Sequence, residues 1–339
     1  DIFKKIEGMY SFVIYDEKRK YFFAARDYFG QKPLYYYKKN SEIFFSSEIK
    51  PIIKFFNLKI SLKEKEIYKY LNHNFFGDTK YTFFKNIYQI PPGSYCEFKK
   101  NKLIFNKINI GKGLVISEKS IKKSLIYSVK KSLVSDKEVA LLYSGGTDSK
   151  SLYDILPSSK QKKIKLFNLK FENFSEKSKI KEKKNLKSYI FKKKDFFNNL
   201  NQASKICESP PLSLFTLGYL KLFNSIKNNK IKVILTGQGI DENFGGYKFL
   251  FKKNNKNKVF HPSGEILLND NKYFKKKVIF KQKQNIRQKK IELLKKNKIP
   301  KNLCQIDKLS MYNSLECRSP YLTNLLFKNT IKLEIKQMQ

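Results

Sequence analysis

The feature that most constrains the fold is a short apolar run, residues 139–143, that passes through a glycine turn into a helical pattern starting near Lys150. The turn reads Ser-Gly-Gly-Thr-Asp-Ser over residues 144–149. An isolated apolar run of this length is typical of a buried strand. Further strands are predicted at residues 165–169 and 232–235. Helices that alternate with such strands predict an α/β domain with a doubly wound, mostly parallel sheet.

The amino-terminal part of the chain has a different pattern, because short aromatic and β-branched runs there are separated by turn residues. The runs cover residues 9–15, 21–25, 33–37 and 43–46, a helical stretch covers residues 62–71, and Pro91-Pro92-Gly93 forms a later turn. This spacing predicts antiparallel β structure. We therefore expect an antiparallel β-rich domain at residues 1–112 and an α/β domain at residues 113–339. In the second domain, Ser117 is expected to cap a helix that runs to about Leu133, and the Lys- and Asn-rich residues 251–298 to form helices with loops.

The net charge of +42 would suit a polyanionic partner, because a basic surface concentrates phosphates. The basic residues are almost all lysines, and the four arginines are Arg19, Arg26, Arg287 and Arg318. Lysine in place of arginine, with abundant Ile, Asn, Phe and Tyr, is typical of an AT-rich coding bias. Lysine-rich stretches such as residues 252–258 are therefore interpreted as solvated faces, and a nucleic-acid partner is not expected.

The cysteines indicate a reducing compartment, and we expect a cytoplasmic protein. Cys96, Cys207, Cys304 and Cys317 lie far apart and form no C-x-x-C pair, so neither zinc nor a disulfide framework is indicated. The sequence contains no apolar run of the ~18–20 residues that cross a bilayer. No membrane partner is expected.

The turn at residues 144–149 is a candidate anion site. A turn between a strand and a helix directs backbone N–H groups and the positive end of the helix dipole at one point, and two glycines allow close approach of an anion. Ser144 and Ser149 add hydroxyl donors. Since no lysine follows the glycines, this is not a Walker A loop. The structural alternative is a Gly-Gly turn capped by serine.

A second motif follows the strand predicted at residues 232–235. Residues 235–247 read Leu-Thr-Gly-Gln-Gly-Ile-Asp-Glu-Asn-Phe-Gly-Gly-Tyr. Ligands of open α/β sheets bind at the carboxyl ends of strands. Asp241 and Glu242 are candidates to hold Mg²⁺ or the amino group of a substrate, and a solvated acidic loop is the alternative.

A third motif lies at residues 307–322 and contains Glu316 and Arg318. Taken alone, these two residues are interpreted as a structural ion pair. Their place after the two glycine-rich motifs makes them candidate substrate-binding residues.

The three motifs, in this order and spacing, resemble the synthetase domain of glutamine-hydrolysing asparagine synthetases, and residues 144–149 resemble the pyrophosphate loop of ATP pyrophosphatases. The amino-terminal part resembles the later part of their class II glutaminase domain. The segments that carry this second resemblance are residues 8–12, 25–27, 29–30, 32–35, 46–50 and 91–93. The resemblance covers nearly the whole chain, and the set of motifs is more specific than any one of them.

The resemblance implies ATP-dependent adenylation of the aspartate side-chain carboxylate, followed by attack of ammonia released from glutamine. The products would be asparagine, AMP and pyrophosphate. The implied ATP-binding residues are Tyr143, Ser144, Gly145, Gly146, Asp148, Ser149, Leu169, Thr236 and Gly237. Substrate would contact Asp241, Glu242, Glu316 and Arg318, while Asp148 and Asp241 would hold Mg²⁺ with pyrophosphate. Asp27 would bind the α-amino group of glutamine, and Gln238 occupies the candidate catalytic position.

The chain departs from the family pattern at Gln238, where an acid is usual, and at Thr323, where an aspartate is usual. A neutral amide positions a group but does not act as a base. We also expect the chain to be a fragment, with the glutaminase cysteine upstream of Asp1 and further sequence after residue 339. A homodimer is a further expectation.

Two other functions stay open from the sequence. A relative that amidates or cyclises another carboxylate, as β-lactam synthetases do, fits Gln238. A tRNA-modifying ATP pyrophosphatase shares the serine–glycine loop and would suit the charge, although such enzymes carry no class II glutaminase segment in front.

Overall fold

The computed structural model of the chain describes residues 2–73, 80–111, 113, 117–172, 183–227, 230–246, 286–295 and 298–333. The chain groups into two compact units, and each is described by itself. The first consists of Asp1–Lys112, Asp241–Cys304 and Ile331–Gln339, and the second of Gly113–Ile240 and Gln305–Thr330. The units and the predicted domains share the boundary after residue 112, whereas residues 241–304 group with the first unit. The assignment of domains 1–112 and 113–339 stays a prediction.

The amino-terminal residues form two antiparallel sheets, as their aromatic and β-branched runs predict. The elements are α1 Ile2–Lys5, β1 Ser11–Asp16, β2 Tyr21–Arg26, β3 Tyr35–Lys39, β4 Glu42–Ser46, α2 Ile49–Phe55, α3 Glu64–His73, β5 Ile87–Gln89, β6 Ser94–Lys99 and β7 Lys102–Lys107. One sheet has the order β1-β2-β6-β7 and the other the order β4-β3-β5. All of their pairings are antiparallel.

The side-chain alternation of β3 builds two apolar clusters in the first unit. Tyr36 joins Ala24 of β2 and Cys96 of β6 in one cluster, which therefore draws on both sheets. Its neighbours Tyr35 and Tyr37 point to the other face and pack with α2. Consecutive aromatic residues in one strand thus fill two separate layers.

The rest of the chain forms a parallel sheet with helices. Its elements are α4 Glu118–Ser132, β8 Glu138–Leu142, α5 Thr147–Ile155, α6 Ser158–Gln161, β9 Lys165–Phe171, β10 Leu186–Phe191, a 3₁₀ turn Lys193–Asp195, α7 Phe196–Cys207, α8 Leu214–Ile226, β11 Ile231–Leu235, α9 Ile240–Phe244, α10 Ile286–Lys295, α11 Lys298–Tyr312, β12 Glu316–Arg318 and α12 Asn324–Thr330. The strand order is β10-β9-β8-β11-β12, and all pairings are parallel. The chain winds outward from β8 to β10 and then outward from β11 to β12, so the predicted doubly wound sheet is confirmed.

The parallel sheet is buried on both faces, which explains its continuous apolar runs. Phe167 and Leu169 of β9 pack in one core cluster with apolar residues of α7 and α8. The side chains of Leu141 and Leu166 point to the opposite face of the sheet, and they are almost fully buried as well. Leu152 of α5, which contacts β8, has no exposed surface.

The predicted helix after Ser117 is confirmed at both ends. The Ser117 Oγ accepts the Ser120 N–H at 3.1 Å, and the Ser120 Oγ accepts the Ser117 N–H at 3.2 Å. This reciprocal capping box satisfies amides of the first turn of α4, which ends with Leu133 as its C-cap.

Two other element predictions need correction or fall outside the description. The helix predicted from Lys150 begins at Thr147, because Gly146 takes an extended conformation and accepts the Lys150 N–H at 3.0 Å. Of the helices predicted at residues 251–298, only α10 and the first residue of α11 lie within the described residues. Within the described ranges, no helix is both long enough and apolar enough to cross a bilayer.

Candidate active site

The first two sequence motifs follow neighbouring strands of the parallel sheet. Residues 144–149 follow β8, and residues 236–239 follow β11. These strands are adjacent, and the winding direction of the sheet reverses between them. A crevice forms outside the carboxyl ends of the strands at such a point, and ligands of open α/β sheets bind there.

The loop after β8 is held by its two serines. The Ser149 Oγ accepts the Ser144 N–H at 3.1 Å and donates to the Gly146 carbonyl at 3.2 Å. Gly145 has a φ of +79°, a left-handed conformation that favours glycine. The loop opens α5, whose first-turn N–H groups have no acceptor within the helix. The geometry is therefore suited to an anion, as the sequence predicts.

Tyr143 links β8 to this loop. Its N–H donates to the Phe167 carbonyl of β9 at 2.8 Å, and its ring lies 5.8 Å from the Tyr153 ring of α5. The Lys183 ammonium lies 3.7 Å from the centroid of the Tyr153 ring and 5.6 Å from that of Tyr143. Since an ammonium is attracted to the face of an aromatic ring, Lys183 makes cation–π contacts with both tyrosines. Tyr143 itself is buried.

Leu169, a member of the predicted ATP-binding set, belongs to the apolar core cluster that α7 and α8 form with β9. A side chain at Gly218 of α8 would come within 2.5 Å of the Leu169 Cδ2, so α8 lies directly on it. Its contact with adenosine stays a prediction.

The loop after β11 is attached to the strand next to it and approaches the first loop. The Thr236 N–H donates to the Arg318 carbonyl at 2.8 Å, and the Thr236 Oγ1 lies 3.0 Å from the Ser319 Oγ. A Cβ at Gly237 would lie 3.3 Å from the Cβ of Asp148. The two glycine-rich loops therefore meet at Gly237 and Asp148.

Gln238, the predicted catalytic position, is hydrogen-bonded to the Tyr219 side chain of α8. Burial, with a smaller contribution from the nearby Cys317, raises the pKa of Tyr219 to about 12 against the opposing effect of the Gln238 hydrogen bond. Tyr219 thus stays protonated at neutral pH. Gln238 is a fixed polar group at the crevice.

Asp241 and Glu242 lie in the first turn of the short helix α9. The Gly245 and Gly246 N–H groups donate to the Asp241 carbonyl at 2.8 and 2.9 Å. A Cβ at Gly246 would overlap the Asp241 Oδ1 at 2.0 Å, so a side chain there would displace this carboxylate. Glu242 is buried. Both residues group with the first unit, and their contact with substrate stays a prediction.

Glu316 and Arg318 lie on β12 and form the ion pair that the sequence left as the structural alternative. The Arg318 Nε donates to the Glu316 Oε1 at 2.6 Å. The same guanidinium donates to the carbonyls of Ser132 and Val134, at 2.9 and 2.6 Å. A cation at the carboxyl end of α4 stabilises the exposed carbonyls there. Substrate binding by this pair stays a prediction.

Thr323 caps a helix at the position where the resemblance expects aspartate. Its Oγ1 lies 2.6 Å from the Ser128 Oγ of α4 and accepts the Leu326 N–H at 3.4 Å. The hydroxyl thus caps α12 and contacts α4.

Asp27, the candidate glutamine-binding residue, lies in the first unit at the end of β2. Its carboxylate accepts the backbone N–H groups of Phe29, Gln31 and Lys32, at 3.2, 2.9 and 3.0 Å. Burial raises the pKa of this carboxyl, while the three N–H bonds and the charge of Arg26 oppose the rise. The Asp27 carboxylate therefore stabilises the loop at residues 29–32 that follows it. Its contact with glutamine stays a prediction.

The described part of the chain contains no cluster of three or more His, Cys, Asp and Glu side chains suited to a metal ion. Asp148 can supply at most one carboxylate from the loop after β8. This fits Mg²⁺ only as an ion that is bound mainly through phosphate oxygens, as is usual for Mg²⁺ in nucleotide sites.

Two residues near the crevice were not singled out by the sequence analysis. The Lys183 ammonium lies over the rings of Tyr143 and Tyr153. No local sequence pattern distinguishes Lys183 from the other lysines of the chain. Asn168 interrupts the apolar run of β9. A polar residue within a buried strand is a sequence signal that was available, since such residues are seldom fully buried.

Comparison with known proteins adds two family matches. The family described as asparagine synthase matches residues 120–337, and the family described as a glutamine amidotransferase domain matches residues 1–108. A protein of Methanocaldococcus jannaschii, provisionally named a glutamine-hydrolysing asparagine synthetase, is 30% identical over 73% of this chain and 51% of its own length. The Bacillus subtilis glutamine-hydrolysing asparagine synthetase 1 is 26% identical over 72% of this chain and 40% of its own. The amidase chry2 of Gibberella zeae is 24% identical over 71% of this chain and 40% of its own. The chain thus spans about half or less of the length of these relatives.

Proposed function

Since the chain belongs to the asparagine synthase family, we propose that it is the ATP-using part of a glutamine-dependent asparagine synthetase. The proposed reaction adenylates the side-chain carboxylate of aspartate and then amidates it, giving asparagine, AMP and pyrophosphate. The observation that carries the proposal is the meeting of two glycine-rich loops at the reversal point of the sheet. The names of the M. jannaschii and B. subtilis relatives support aspartate as the substrate.

In this proposal the loop after β8 binds the β- and γ-phosphates that leave as pyrophosphate. Gly145 and Gly146 let phosphate oxygens approach the backbone, and the first-turn amides of α5 face the negative charge. Ser144 and Ser149 keep these amides in place through their mutual hydrogen bonds. The loop thereby stabilises the charge that grows on the leaving group.

The loop after β11 orients the reacting carboxylate in this proposal. Thr236 and Gly237 hold the loop against β12 and against Asp148. Gln238 positions a neighbouring oxygen through its amide and accepts no proton. Asp241 and Glu242 are proposed to bind the amino group of aspartate, with Asp148 and Asp241 contributing to the Mg²⁺-pyrophosphate contacts. Mg²⁺ would neutralise phosphate charge.

Glutamine as the nitrogen source is also a proposal. The match of residues 1–108 to a glutamine amidotransferase domain supports it, and Asp27 is the proposed ligand of the α-amino group. The same match argues against a tRNA-modifying ATP pyrophosphatase. Cytoplasmic location and a homodimer are proposals of the same kind.

A product assay tests the proposal. With ATP, Mg²⁺, aspartate and ammonium, phosphorus NMR should show AMP and pyrophosphate, and amino-acid analysis should show asparagine. The formation of ADP and phosphate would overturn the reaction type. Ser149→Ala should slow AMP formation by at least about tenfold, the effect of losing one well-placed polar contact. Ser225→Ala on α8, which also removes a serine-to-carbonyl hydrogen bond, should leave it unchanged.

A second candidate function amidates or cyclises a different carboxylate. The amidase among the relatives and the amide at Gln238 favour this alternative. A panel of carboxylic acids, screened by pyrophosphate release, separates the two. Release that requires another acid and ignores aspartate would select the alternative.

A further inference from the structure

Asn168, in the middle of β9, is a buried polar residue whose carboxamide has no hydrogen-bond partner among the described residues. The side chain is 1% exposed, and neither its Oδ1 nor its Nδ2 bonds to any described residue. Buried Asn313 differs, because its Nδ2 donates to the Leu309 carbonyl at 3.0 Å and only its Oδ1 lacks a partner. Buried polar groups are almost always paired. A carboxamide with both ends unpaired therefore points to a ligand.

The strand register places this carboxamide beside the candidate ATP loop. Phe167 pairs with Leu142 on β8, and the Phe167 carbonyl accepts the Tyr143 N–H. Asn168 is thus next to Tyr143 across the two strands, one residue before the loop begins. Because side chains alternate along a strand, Asn168 points away from the core cluster that contains Phe167 and Leu169. It shares a face with Tyr143.

The chemistry of the carboxamide is matched by adenine. An asparagine side chain offers an acceptor and a donor side by side, and adenine offers its 6-amino group beside a ring nitrogen acceptor. The rings of Tyr143 and Tyr153 provide aromatic surface at the same place. We propose that Asn168 recognises the adenine of ATP, with its Oδ1 accepting from the 6-amino group and its Nδ2 donating to the adjacent ring nitrogen.

This inference rests on the proposed use of ATP and adds the residue that selects the base. Residues 144–149 bind phosphates and so accept any nucleoside triphosphate. Base selection requires a group that pairs with the base edge, and Asn168 is that group. Since Asn168 is almost fully covered, a neighbouring side chain has to shift when the base pairs. The neighbours of Asn168 across the strands are Tyr143 on the β8 side and Ser188, which pairs with Asn168 from β10.

The test compares two triphosphates that differ by one amino group. Binding of ATP and of purine riboside triphosphate, which lacks the 6-amino group, is measured by calorimetry on the 339-residue chain. The unmodified chain should bind ATP at least about tenfold more tightly, because the analogue leaves the Asn168 Oδ1 unpaired. In Asn168→Leu, which keeps the number and branching of the side-chain heavy atoms, the two affinities should agree within about twofold.

Asn329→Leu on α12 is the matched control. Asn329 is also buried, its Oδ1 has no hydrogen-bond partner among the residues that the structure describes, and it lies outside the loops. This variant should keep the discrimination of the unmodified chain. The comparison on the unmodified chain needs no variant, so equal binding there would overturn the proposal even if Asn168→Leu fails to fold.

The outcomes separate this inference from the proposed function. Equal binding of the two triphosphates by the unmodified chain would overturn the role of Asn168 and leave ATP use intact. Unchanged discrimination in Asn168→Leu would also overturn it, since another group would then read the base. Absence of ATP binding altogether would overturn the proposed function and the inference with it.

Discussion

Replacement of Arg26 by lysine tests how the loop that carries Asp27 is held. The Arg26 guanidinium is buried and donates to four acceptors. They are the carbonyls of Lys32, Gly30 and Ile90, at 2.7, 2.9 and 3.0 Å, and the Gln89 Oε1 at 3.2 Å. A Cβ at Gly30 would lie 3.2 Å from the guanidinium carbon, so the loop wraps closely around this group. Through these hydrogen bonds Arg26 connects the loop that carries Asp27 to Gln89 and Ile90.

Lysine keeps the charge but has one nitrogen in place of the planar fork. Two or three of the four hydrogen bonds are lost, and buried carbonyls are left unpaired. At about 1.5–3 kcal/mol for each hydrogen bond to a charged group, the loop should lose about 3–9 kcal/mol. Opening should therefore become at least about 100-fold more frequent.

Hydrogen exchange measures this directly. The amides of Gln31 and Lys32 donate to the Asp27 carboxylate and are protected only while the loop is closed. In Arg26→Lys they should exchange at least about 100-fold faster than in the unmodified chain. Arg19→Lys is the control, because Arg19 is largely exposed and its ion pair with Asp16 spans 3.9 Å. Exchange within about threefold of the unmodified chain in both variants would refute the reasoning.

Two further predictions concern the second loop and the charge of α10. Gly239 has a φ of +93°, and a Cβ there would lie 2.4 Å from the Leu322 Cδ2, so Gly239→Ala should cost about 2–4 kcal/mol in urea unfolding. Gly146→Ala, at an ordinary φ of −70° and with space for a methyl group, should cost less than about 1 kcal/mol, and equal costs would contradict the steric argument. Burial lowers the pKa of Lys290 from 10.5 to about 8, so between these values the unfolded chain binds more protons than the folded chain. Stability should therefore gain about 3 kcal/mol as pH rises from 8 to 10.5 and lose it as pH falls again, and urea unfolding of Lys290→Met should lack this gain. A pH dependence that is identical in both proteins would exclude Lys290 as its source.

Local chemistry made several elements predictable. The helix α4 was predicted at both ends because Ser117 precedes an amphipathic run and caps its first turn through contacts three residues away. The amino-terminal strands were predicted because alternating aromatic residues suit two apolar layers. The position of the phosphate loop followed from a strand, two glycines and a helix that are adjacent in sequence.

Other elements lacked such a local signal. The strand β10 reads Leu-Lys-Ser-Tyr-Ile-Phe and is half exposed at the edge of the sheet, so its apolar pattern is weak. The strand β12 has three residues, and only its pairing with β11 makes it a strand. The start of α5 was placed three residues late because the glycine turn itself supplies the N-cap.

The sequence by itself determined the two kinds of sheet, the glycine loops and the family, because these depend on residues that are close together in the chain. The tertiary structure decided which distant residues meet. It placed the loops after β8 and β11 side by side, and it paired Lys308 with Glu208 in a buried ion pair across 100 positions. It also placed the Asn168 carboxamide, which has no partner within the described part of the chain, beside the glycine loop at residues 144–149. The free energy of such contacts depends on burial and geometry, which the folded chain fixes and local sequence does not encode.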